Sequence, residues 1–96
     1  MAFYALRKVF DTPFNVTTTS QVVLAANEAR KYAILINTSN ENMWLRLGNP
    51  AVVGEGIFLA RAGFAYEISQ DNLYVGTIHA IHDGTGDKKL SILELS

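Results

Sequence analysis

Ile57-Phe58-Leu59-Ala60-Arg61-Ala62-Gly63-Phe64-Ala65-Tyr66-Glu67-Ile68 carries two short runs of alternating side chains around a glycine-bearing connection. Ile57 and Leu59 alternate with Phe58 and Ala60, and Phe64, Tyr66 and Ile68 alternate with Ala65 and Glu67. A period of two sends successive side chains to opposite faces, the signature of strands with one face buried. The connection Ala60 to Gly63 is short and ends in a glycine able to take the positive φ of a tight turn, so the two segments are predicted to pair as a hairpin.

The same period extends in both directions. In Lys31 to Asn37, Tyr32, Ile34 and Ile36 fall on one face and Ala33 and Leu35 on the other, which predicts a central strand covered on both sides. Met43, Leu45 and Leu47 alternate with Trp44 and Arg46. Leu73 to His82 and Lys88 to Leu95 supply the last two or three strands; in the final one Leu90 and Ile92 share a face while Leu93 and Leu95 lie on the other, so either both faces are covered or a bulge shifts the phase. Leu24 to Lys31 has helix formers but is too short for a stable helix, and reads as a strand over Val22 to Ala25 followed by a turn, or by a single helical turn. Turn residues separate the segments at 38–42, 48–50, 54–56, 69–72 and 83–87. That rhythm predicts an all-β fold: a single β-sandwich of about seven to eight strands with jelly-roll or Greek-key-like connections.

Ninety-six residues fit one domain. With 49% apolar and 18% charged residues the chain lies in the globular range, far from disorder. Cysteine is absent, so stability has to come from packing or from assembly with other copies. Eight basic against nine acidic residues, net charge −1, give no field that draws the protein onto nucleic acid or an anionic bilayer, and neither partner is expected. The N-terminus places its charges after a short apolar stretch, the inverse of a secretory signal, and no apolar run approaches the ~20 residues of a membrane-spanning helix.

No motif announces catalysis, and the chain is not expected to be an enzyme or to need a cofactor or metal. His79 and His82 stand at an odd spacing that sends them to opposite faces of a strand, unlike a chelating pair. Asp83-Gly84-Thr85-Gly86-Asp87 brings two carboxylates around glycines but lacks the spacing of a calcium loop, and reads as a hairpin turn. The basic pairs Arg30-Lys31 and Lys88-Lys89 read as solvated strand starts. Trp44 and Arg46 share the face opposite Met43, Leu45 and Leu47, so this pair either offers a surface contact or is covered by another strand or by the N-terminal segment.

Residues 1–20 read as an N-terminal arm ahead of a sandwich domain at 21–96. The arm carries Phe3, Tyr4, Phe10 and Phe14 beside Arg7 and Lys8, more apolar area than a free tail keeps in water. Either these six residues form an assembly interface, or the segment is an edge strand packed on its own domain.

The order of pieces carries a resemblance. Val22-Val23-Leu24-Ala25-Ala26-Asn27, then Arg30-Lys31-Tyr32 leading into Ile34 to Ser39, then Leu45-Arg46-Leu47-Gly48, Ile57 to Gly63 with Tyr66-Glu67-Ile68, and Leu73 to Ile81 together resemble small β-sandwich structural proteins of tailed-phage virions, of the capsid decoration or cement type. The resemblance covers residues 22–82. It implies a virion protein on the capsid surface, made in the host cytoplasm, that binds the major capsid protein in many copies, stabilises the shell and associates with itself as a homotrimer. It also leaves open a head-fibre, collar or tail component. From a different class, a glycan-binding module would use Trp44, Tyr66 or Tyr74 as stacking platforms.

Overall fold

The computed structural model describes residues 8–96 and is all-β, with nine strands in two antiparallel sheets. These are β1 (Val9–Asp11), β2 (Phe14–Val16), β3 (Gln21–Leu24), β4 (Tyr32–Asn37), β5 (Met43–Leu47), β6 (Ile57–Leu59), β7 (Phe64–Ile68), β8 (Ile78–His82) and β9 (Lys88–Leu95). One sheet has the order β1-β9-β4-β7, with β2 also on β9; the other has the order β3-β8-β5-β6. Val9 faces Leu95, Asp11 faces Leu93, Phe14 faces Leu90 and Val16 faces Lys88, so β1 and β2 keep one unbroken register on β9. They form a single edge position, nicked at Thr12-Pro13, where the proline has no N–H to give to the ladder. Counted that way, each sheet has four positions, and every connection except β5 to β6 passes from one sheet to the other. This is the jelly-roll connectivity of two interleaved Greek keys.

The alternation read from sequence sets the faces. Ala33 and Leu35 of β4, Met43 and Leu45 of β5, Ile78 and Ala80 of β8, and Leu90 and Ile92 of β9 are all buried between the sheets. β9 keeps its register on β4 from Leu95 to Leu90, so no bulge shifts its phase; Leu93 and Leu95 lie on the outer face, partly exposed. The outer side chains of β4, Tyr32, Ile34 and Ile36, are likewise half-buried rather than covered. The one ladder irregularity of β3 falls between Val22 and Leu24, and it turns both Val23 and Leu24 inward.

Three expectations are corrected. Residues 57–59 and 64–68 do not form a hairpin: β6 pairs with β5 (Trp44 opposite Phe58), and β7 pairs with β4 in the other sheet (Leu35 opposite Tyr66). Ala60 to Gly63 is a crossing between sheets, held by Arg61 N–H to Asn42 Oδ1, Ala62 N–H to Ser39 O and Gly63 N–H to Asn37 O. Ala62 and Gly63 both take positive φ there, 67° and 105°. Residues 83–87 likewise pass between sheets, from β8 to β9, and are not a hairpin turn. Residues 73–77 are not strand: a 3-10 turn at Gln70–Asn72 precedes them, and the carbonyls of Tyr74 and Gly76 are taken by Arg30 while that of Val75 accepts from Asn27 N–H.

Candidate interaction surfaces

The arm residues that the structure describes converge on one place. Phe10 and Phe14 stand in register with Glu94 and Leu90, on the inward phase of β9, and so point between the sheets. There β1 on one sheet and β3 on the other are both edge positions, and the sandwich opens. The opening is an apolar cleft of about 710 Å³, walled by Phe10 and Phe14 on one side and by Val22, Leu24, Ala25 and Ala26 on the other. Lys8, Asn27, Glu94 and Ser96 supply its polar groups. Phe14 packs against the core, whereas Phe10 remains 42% exposed within the cleft. Lys8, Phe10 and Phe14 are therefore brought together; Phe3, Tyr4 and Arg7 lie outside the described residues.

Two of the cleft's polar groups, Asn27 and Glu94, belong to a network around Arg30, a residue expected in solvent from the sequence. Arg30 is fully buried, not a solvated strand start. Its Nε donates to Glu94 Oε2 at 2.6 Å, Nη1 to the carbonyls of Tyr74 and Gly76 at 2.7 and 3.2 Å, and Nη2 to Ala25 O at 2.7 Å. Asn27 Nδ2 donates to the other carboxylate oxygen of Glu94 at 3.2 Å. A buried guanidinium is tolerable only when counter-charged and hydrogen-bonded on its N–H groups, and here one side chain ties β9, the end of β3 and the 73–77 segment together. The detectable signal was Glu94 rather than Arg30, since it continues the inward phase of Leu90 and Ile92 and so demands a cation inside the fold.

Trp44 and Arg46 lie elsewhere, on the outer face of the second sheet. Trp44 is flanked in register by Ile81 and Phe58, and Arg46 by His79. The Trp44 and Phe58 rings are 5.6 Å apart and tilted by 51°, with Phe58 54% exposed. Arg46 reaches Glu55 at 4.0 Å, both largely in solvent, a contact of little energetic weight. β1 and β2 are on the opposite sheet, so the described part of the arm does not cover this face. Tyr66 and Tyr74 are half-buried and pack against the core, and the Tyr74 hydroxyl donates to Thr77 O at 3.0 Å.

The histidines are separated as their spacing required. His79 is half-exposed, its Nε2 3.2 Å from Thr77 Oγ1. His82 is buried; its Nδ1 accepts from Gly84 N–H at 3.0 Å, which places the proton on Nε2 for donation to Gly86 O at 2.7 Å. Its role is to shape the 83–87 crossing. Among the described residues no group of three His, Asp or Glu side chains is placed to hold a metal ion, and no helix is long and apolar enough to cross a membrane. On the outer face of the first sheet the Tyr32 hydroxyl donates to Glu67 Oε2 at 2.5 Å, and this bond, with smaller contributions from burial and the carboxylate's charge, holds the phenol proton above its usual range.

Fold and surfaces together define a jelly-roll domain with an open, apolar edge beside its N-terminal strand. Comparison with protein-family models, with curated proteins and with solved structures gives no match for this chain.

Proposed function

We propose that this protein is a structural subunit that works by assembly, decorating a phage capsid in many copies and reinforcing the shell, with the major capsid protein and its own copies as partners. A jelly roll hosts capsid proteins and lectins alike, so the architecture by itself decides nothing. The observation that carries the reading is the cleft: Lys8, Phe10 and Phe14 form one wall of an apolar opening at a sheet edge. Exposed apolar area of that kind, bordered by polar groups, marks an interaction site. The protein added to emptied phage capsids assembled from a major capsid protein should raise the temperature at which they rupture. Capsids that rupture at the same temperature with and without it would count against decoration, and co-purification with tails instead would favour the head-fibre, collar or tail reading.

A second reading has its own observation. The half-buried Trp44 and the exposed Phe58, beside Arg46 and His79, offer rings for stacking and polar groups for hydroxyls, as a glycan-binding face does. Retention on immobilised sugars that is lost in Trp44→Ala supports it; no retention on any sugar tested removes it.

A further inference from the structure

We infer that the 83–87 crossing is a proton-operated latch: when His82 takes up a second proton, its ring gives up the Gly84 N–H, turns Nδ1–H to the Glu41 carboxylate and releases the crossing from the end of the sandwich. The inference goes beyond the assembly reading and stands independently of it.

The latch is built on one side chain. His82 ends β8 and is fully buried, with its backbone N–H given to Thr17 O at 3.1 Å and Met43 of β5 opposite it in the ladder. Its ring holds the crossing at two points, Nδ1 at the Gly84 N–H, 3.0 Å away, and Nε2 at Gly86 O, 2.7 Å away. The first bond requires a bare nitrogen and the second a protonated one, so only the neutral ring with its proton on Nε2 satisfies both. An imidazolium carries a hydrogen on each nitrogen. At Nδ1 that hydrogen meets the one on Gly84, donor against donor, and a buried donor without an acceptor is costly. One of the two groups has to leave.

A replacement acceptor is at hand. Glu41, in the turn between β4 and β5, lays its carboxylate against Gly84: a Cβ at that glycine would stand 2.6 Å from the Glu41 Cδ and 2.7 Å from Oε2. Among the described residues this carboxylate has no hydrogen bond or ion pair of its own. The other charged groups about the ring are Asp83 and Asp87, exposed in the crossing itself, and Lys88, which opens β9 on its inward phase opposite Val16. Solvent weakens the pull of the two aspartates. Lys88 opposes a second charge on the ring, and Glu41, half-buried on Gly84, attracts it.

The latch is remote from the cleft. Leu24 of the cleft wall pairs with Ile78 at the start of β8, whereas His82 stands at that strand's other end. Acid therefore loosens one end of the sandwich and leaves the cleft as it is.

The test titrates the isotope-labelled full chain from about pH 8 to about pH 5, the interval in which histidines change charge. Nitrogen NMR reports the protons on the His82 ring, and hydrogen exchange reports the amides. The expected result at the upper end is a proton on Nε2 alone. As acid adds one to Nδ1, protection of the Gly84 amide should fall several-fold, as the loss of one hydrogen bond requires, while Leu35 and Leu45 at the centres of the two sheets keep theirs. Glu41→Gln should shift both changes to lower pH. His82→Gln, whose neutral amide has one acceptor and one donor end, should hold Gly84 protected throughout. A Gly84 amide that stays protected while the ring gains its proton, or a ring that stays neutral to the end of the titration, would overturn the latch. So would release in His82→Gln, or loss of protection at Gly84 together with Leu35 and Leu45, which is unfolding of the whole domain. If His82→Gln does not fold, Glu41→Gln decides: a titration identical to that of the unsubstituted protein removes Glu41 as the acceptor and the mechanism with it.

Discussion

Arg30 Nε lies 2.6 Å from Glu94 Oε2 across 64 positions of sequence, and both side chains are withdrawn from water. The pair closes the end of the sandwich where the apolar layer of Leu90 and Ile92 gives way to the cleft. Removing one partner of such a pair strands the other charge, at a cost of about 3–5 kcal/mol. We expect Glu94→Leu to lose that much in denaturant unfolding, a large share of the ~5–15 kcal/mol of a typical domain. Arg30→Met should lose a comparable amount, because the carbonyls of Ala25, Tyr74 and Gly76 lose their donors. The double variant should recover only part of it, since those carbonyls stay unpaired. Losses that simply add would show that the two residues do not act as a pair.

Phe10 and Phe14 differ in what they do for their own domain. Phe14 packs against the buried cluster and Phe10 stands 42% exposed in the cleft. Phe14→Ala should lower unfolding stability by roughly 1–3 kcal/mol, less than for a fully buried ring. Phe10→Ser should change stability by under about 1 kcal/mol but weaken self-association, as read by light scattering. The reverse ranking, with Phe10 critical to folding and indifferent to association, would contradict the assignment of the cleft.

Tyr32 gives a pH-dependent prediction. Its hydroxyl donates to Glu67, and that bond holds the proton above the usual phenol range. A raised folded value means the contribution is fully present below the unfolded phenol pKa and is lost as pH rises through the folded one. In an absorbance titration of phenolate, the step lost in Tyr32→Phe should lie at higher pH than that of an exposed tyrosine, and Glu67→Gln should move it down. No movement in Glu67→Gln would break the proposed cause.

Strand positions were legible in the sequence because burial writes itself as period two: β4, β5, β7 and β9 stand where alternation placed them, and β3 ends in a turn before Arg30. Pairing was not legible. β6 and β7 are both short, apolar and joined by a glycine-bearing turn, so local pattern could not tell a hairpin from a crossing; the contacts that decide it come from Ser39, Asn37 and Asn42, about twenty residues away. The cleft was half legible. Phe10 and Phe14 stood out as apolar area in need of cover, but their facing wall on β3 is set by sheet order alone. Arg30 beside Lys31 looked solvated for want of any local sign of Glu94.

The central claim is tested most directly by counting copies of the protein bound per major capsid protein on purified capsids as its free concentration rises. Decoration predicts a saturable curve that levels at one fixed ratio set by the lattice, with Phe10→Ser reaching half-saturation at higher concentration. Absence of binding, or binding that keeps rising without a plateau, would contradict it.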